Sequence, residues 1–250
     1  MKRVALLMLV TCARNPQQRT PAAALAQSVS HATLEKGLVF ERQGNFDAAL
    51  QQYRNAYEAE PEAPHTAAQL ARVLARKGDT NAAISIVGAG QKRRPDDAEL
   101  YALAASLARL RSDLPGAREN AKAALARSPL DPAGTVELAR ALVNEKKLAL
   151  AFAMVERALA AHPNDARLHV ALADVARAND DDSRALAELI AAGECDAHDP
   201  SVQLRIGAVA LDHRDYGRAK AAFEKAIALG DASGAGAAGM QVVQQSESVK

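Results

Sequence analysis

An alanine that returns every 34 residues constrains this chain more than anything else in it. From Ala49 the period lands on Ala83, Ala117, Ala151, Ala185 and Ala219, and Pro61 steps likewise to Pro95, Pro129 and Pro163. Self-similarity at a fixed period of this length marks a solenoid, in which each unit buries its apolar face against its neighbours. Aromatic residues are 3% of the chain and Trp is absent, while Ala and Leu dominate, so the unit is helical. The fold class is all-α.

The period sets six repeats over 30–233, namely 30–63, 64–97, 98–131, 132–165, 166–199 and 200–233, each read as two antiparallel helices. Gly37, Ala71, Ala105, Ala139, Ala173 and Gly207 form a small-residue column in the first helices. It faces the Ala49 column of the second helices, so the two backbones approach closely. Tyr53, Val87, Val155, Leu189 and Phe223 fill the space beside them. A third small column, from Ala56 and Gly90 to Ala226, receives the first helix of the next repeat.

This pattern resembles the tetratricopeptide repeat. The first repeat carries the resemblance most fully, through Gly37, Phe40, Gly44, Phe46, Ala49, Tyr53, Ala56 and Pro61. Ser112, Lys146 and Asp180 stand where that repeat has its turn glycine, and Asn179 to Asp182 reads as a weak turn. The resemblance implies a right-handed α-solenoid of about six helix-turn-helix repeats. It also implies a non-catalytic scaffold whose first helices line a concave face. Residues 234–250 are expected to be a tail or a short cap through Met240 and Val243, with Gly234, Gly236 and Gly239 weakening a helix there.

Residues 1–12 place Lys2 and Arg3 before an apolar run too short to span a bilayer. The run ends at Cys12 and resembles a bacterial lipoprotein signal, with Leu9-Val10-Thr11-Cys12 as lipobox and Cys12 as the lipidated residue. Thr11 stands where that motif has Gly, Ala or Ser. Cleavage after Ala24-Leu25-Ala26 and a cytosolic N-terminus are the alternatives. Residues 13–29, with Pro16 and Pro21, read as a tether, the alternative being a short helix over Ala22 to Ser30 packed on the first repeat. The expected location is the cell envelope, lipid-anchored and facing the periplasm, with cytoplasmic as the alternative. The whole resembles lipoproteins that assist pilus assembly or outer-membrane assembly.

No catalytic or metal site is expected. The six histidines are scattered over five of the repeats without a ligand pair one helical turn apart, and Gly88-Ala89-Gly90 lies late in a second helix. Cys195 has no nearby base and reads as a partly buried residue between repeats. No cofactor or small-molecule substrate is implied. A net charge of +1, from 31 basic and 30 acidic residues interspersed along the chain, argues against nucleic acid.

What remains is surface for a protein or peptide partner, beside the membrane reached through the lipid. Projected from their shared register, Arg72, Arg76, Arg109, Arg140 and Arg177 face inward together with Leu103, Val136 and Val170. Arg167 and Arg205 extend the stripe, and Glu99, Glu137 and Asp174 interrupt it. Two readings stand: the arginines grip carboxylates of the partner, or they pair with the interleaved acids. Leu34 and Leu38 occupy the places of a known Lys and Asn carboxylate clamp, so that mode is not supported. They form an apolar patch, open or covered by residues 13–29. A cytosolic adaptor, or a regulatory subunit of an enzyme complex, is the alternative function.

Overall fold

The computed structural model describes residues 21–231 and 233–248, and Cys12, the expected signal and residues 13–20 lie outside them. The chain divides at Thr66/Ala67 into two compact units. Among the described residues there are thirteen α-helices and no strand. The first helices of the repeats are α1 (Pro21–Arg42), α3 (Pro64–Arg76), α5 (Ala98–Leu110), α7 (Pro132–Asn144), α9 (Ala166–Ala178) and α11 (Pro200–Asp212). The second helices are α2 (Phe46–Ala59), α4 (Thr80–Arg93), α6 (Leu114–Arg127), α8 (Leu148–Ala161), α10 (Asp182–Cys195) and α12 (Tyr216–Ala228). A last helix, α13 (Ala235–Ser248), follows. Two boundaries differ from the periodic reading. Pro21–Val29, expected within the tether, continue α1, so that stretch extends the helix axis and does not fold back over Leu34 and Leu38. The C-terminal stretch is a helix longer than Ala237 to Gln245.

Helix ends repeat as faithfully as helix faces. Asp97, Asp131, Asp165 and Asp199 cap α5, α7, α9 and α11, each accepting a hydrogen bond from a backbone N–H of the first turn. Asn45, Asp79, Asp113, Asp181 and Asp215 cap the second helices in the same way. Many of the chain's acids are therefore spent on orphan amide groups. The turn at Asn179 to Asp182 is better tied than expected, because Asp181 caps α10 and Asp182 meets His213 at 3.1 Å and Arg177 at 3.6 Å.

Every turn from first to second helix carries one residue in the left-handed region: Gly44, Gly78, Ser112, Lys146, Asp180 and Arg214, with φ between 57° and 87°. Four of these are not glycine, so the turn geometry is imposed by the packed helix pair. At the fourth turn both local choices are unfavourable, because Lys146 takes φ 60° and Lys147 makes no side-chain cap bond. Lys146→Gly/Lys147→Asp is expected to stabilise the chain by about 1–2 kcal/mol, read as a rise in the urea midpoint.

In the C-terminal unit the core is a stack of slices shared by neighbouring repeats. One joins Val136, Leu142, Val155, Leu168 and Leu172, and the next joins Leu189, Val202, Ile206 and Val209. The Ala49 column is buried at every step. Ala117→Leu, in α6, is expected to overpack it and cost about 1–3 kcal/mol in thermal or urea unfolding. An unchanged midpoint would mean that this column does not set the spacing.

Glycine stands in the first-helix column only where the second helix brings an aromatic ring. In the N-terminal unit, a Cβ on Gly37 would lie 2.4 Å from the Tyr53 ring, whose hydroxyl donates to Glu41 at 2.8 Å. In the C-terminal unit, Phe223 is held on two sides: a Cβ on Gly207 of α11 would come within 2.6 Å of it, and one on Gly239 of α13 within 2.5 Å. Gly236 packs on Ile227, which a Cβ there would approach to 2.9 Å. The glycines that weaken α13 as an isolated helix are the residues that let it dock, with Val243 fully buried. Asp231 starts this helix by accepting from the Ser233 hydroxyl and amide and from Gly236 N–H. These bonds hold its carboxyl below the usual range, so its contribution is present at neutral pH and lost as pH falls through that lowered value.

Candidate functional site

The first helices of the C-terminal unit line one groove, running from Arg72 on α3 across α5, α7 and α9 to Arg205 on α11, with a volume of ≈ 420 Å³. It brings together seven of the residues projected from the register: Arg72, Leu103, Val136, Arg140, Arg167, Val170 and Arg205. Leu103 and Val170 are half-buried and present apolar surface, whereas Val136 is only 6% exposed and belongs to the core beneath. Arg76, Arg109 and Arg177 lie outside this groove.

The groove's arginines are engaged by acids of the same face. Arg72 reaches across to Glu99 at 2.6 Å, tying α3 to α5. Glu137, 7% exposed, accepts from Arg109 of α5 at 3.0 Å and from Arg140 of its own helix at 2.7 Å. Arg205 of α11 pairs with Asp174 of α9, and Arg177 of α9 reaches Asp212 of α11 at 2.9 Å. Arg167 turns back on the capping Asp165 at 2.6 Å, and its proton is held more firmly by that bond, with Asp131 and Glu99 adding. Of the two readings of the stripe, the structure shows interleaved pairing, with successive first helices stitched together.

Among the groove residues missed by the register are Asp196 and Asp199, in the connection from α10 to α11. Each accepts one backbone N–H, from His198 and Ser201 respectively, and neither has a cation partner among the described residues. Asp199 was findable as the fourth member of the capping column that begins at Asp97. Cys195, expected to be partly buried, is exposed at the end of α10. The reason is its place in the last turn of a second helix, beyond the residues that meet the next repeat. Among the described residues no three of His, Cys, Asp and Glu converge as metal ligands, and no helix is long and apolar enough to cross a membrane.

Residues 41–107 match a family model described as tetratricopeptide repeat. The fold is a tetratricopeptide-repeat solenoid. Solved structures resemble it along most of its length. A thermophilic tetratricopeptide-repeat protein of Thermus thermophilus, TTC0263, is 21% identical with a TM-score of 0.63, covering 73% of this chain and 99% of that one. The Pseudomonas aeruginosa pilF structure is 17% identical with a TM-score of 0.58, covering 90% and 99%. A human IFIT1 dimer with PPP-AAAA is 15% identical with a TM-score of 0.65 over 79% of this chain, which spans 50% of that protein. No curated protein sequence matches the chain. At these identities the likeness is one of fold, and a tetratricopeptide array of this kind accounts for the groove by geometry alone, since its first helices line one face.

Proposed function

We propose that this tetratricopeptide array is a non-catalytic scaffold that holds a segment of a partner protein in the groove of its first helices. The observation that carries the reading is the groove itself: apolar Leu103 and Val170 set between ion pairs, continuous over five first helices. Because the arginines already have partners, recognition rests on apolar side chains and on hydrogen bonds to the polar rim. The same pairing disfavours a phosphate backbone, which needs cations free to neutralise it.

We place the scaffold at a bacterial envelope, held by a lipid on Cys12, and favour pilus assembly as its setting. The support is the pattern of residues 1–12 followed by repeats, together with the fold-level likeness to pilF of Pseudomonas aeruginosa. Two measurements test this. A photo-crosslinking residue at Val170, in bacterial cells, is expected to capture a discrete protein, and one at exposed Lys220 of α12 is not. Capture from Lys220 alone would move the binding face. Labelled fatty acid is expected to enter the wild type and not Cys12→Ala, and absence of label from both removes the envelope reading.

A further inference from the structure

The clefts between successive second helices are not equivalent. Between α8 and α10 the Arg184 guanidinium lies 3.8 Å from the Phe152 ring centroid and bonds Glu156 at 2.8 Å, filling the space. One period earlier the corresponding residues are Arg118, in place of Phe152, and Leu150, in place of Arg184. No stack forms there. α6 offers small alanines inward, Ala117, Ala121 and Ala124, and its outer side carries Arg118 and Lys122. A concavity of ≈ 520 Å³ therefore opens between α6 and α8, a size suited to several bound side chains.

Its floor is apolar: Leu130, Leu138, Leu142 and Met154, with Leu150 at the edge 57% exposed. Its rim is cationic. Lys122, Lys147, Arg157 and Arg118 surround it, against the one lining carboxylate, Glu145, which Lys147 and Arg118 share at 2.6 and 2.9 Å. Glu119, outside the lining, meets Lys122 at 3.2 Å, and Arg157 has no ion pair among the described residues. The rim keeps a net positive charge after internal pairing. An apolar floor under a rim of net positive charge is complementary to leucine-type side chains flanked by carboxylates.

We propose that this outer groove is a second docking site, separate from the groove of the first helices, for an acidic amphipathic helix of a partner protein. A helix fits better than an anionic bilayer. The apolar residues line a recess, which the side chains of a helix enter and a lipid surface does not fill, and membrane-binding faces project their apolar residues instead. The site makes the array bivalent, so a partner held in one groove leaves the other open.

The probes are a synthetic amphipathic peptide with Leu at i, i+3, i+4 and i+7 flanked by Glu, the same peptide with Lys for Glu, and phosphatidylglycerol vesicles. Fluorescence anisotropy on the full chain is expected to show saturable binding of the Glu peptide and none of the Lys peptide. Leu150→Asp and Lys122→Glu/Arg157→Glu are each expected to weaken binding by about tenfold or more. These side chains are at least half exposed or on the rim, and circular dichroism confirms that the variants fold. Val170→Asp, in the first-helix groove, is expected to leave binding unchanged, which separates failure here from failure of the scaffold reading. The proposal is overturned by no binding, by equal binding of both peptides, by loss in Val170→Asp instead, or by a preference for the vesicles.

Discussion

Phe223→Ala is expected to destabilise the C-terminal end of the array by about 3–5 kcal/mol, the range for truncating a buried aromatic ring. The ring is 4% exposed and is gripped by Gly207 and Gly239 from two different helices, so its removal leaves a cavity that neither backbone fills. Because repeat arrays lose stability locally, the change is best read by hydrogen exchange. Protection should fall most in α11, α12 and α13 and least in α5. The converse substitution, Gly239→Ala, drives a Cβ into the ring and should cost about 1–3 kcal/mol. Phe223→Leu in the same chain should recover part of that cost, since the two positions share one volume. A loss below about 1 kcal/mol for Phe223→Ala would mean that α13 does not dock on this ring.

Arg109→Gln/Arg140→Gln is the second large effect, at about 3–5 kcal/mol in urea unfolding. It leaves the Glu137 carboxylate 7% exposed with no cation beside it. Glu137→Gln should cost far less, because both arginines are about a third exposed and regain water. If the two variants lost equal stability, Glu137 would not be the hub of this network. The asymmetry also bears on the groove. A binding defect in an Arg140 variant mixes lost recognition with lost structure, whereas Leu103→Asp or Val170→Asp reads recognition more cleanly.

Much of the fold was legible because a solenoid is a nearest-neighbour object. The Ala49 column and the small first-helix column report backbone approach directly, and the coincidence of Gly37 with Tyr53 and of Gly207 with Phe223 was already visible as a pattern. Its meaning was not, since only the structure shows a ring filling the space that a methyl group would take. The capping columns at Asp97 and Asn45 carried an equally clear period.

The candidate site was legible as a face and not as a chemistry. The register placed Arg72, Leu103, Arg140 and Val170 in one groove, but Glu99, Glu137 and Asp174 reach the arginines from 27, 28 and 31 residues away. Sequence alone left open whether such acids pair with these arginines or merely alternate with them. Distances of 2.6–3.0 Å between Arg72 and Glu99 and between Arg109 and Glu137 decide it.

The sequence by itself determined the period, the all-α class, the buried columns and which first-helix residues share one face, because each depends on local helix geometry repeated at a constant step. The tertiary structure decided which charges are neutralised, that α13 docks through its glycines, and that the α6/α8 cleft stays open while α8/α10 is filled. Those outcomes depend on side chains from different repeats meeting within a few ångströms, and a period fixes the position of a residue on its helix without fixing what stands opposite it.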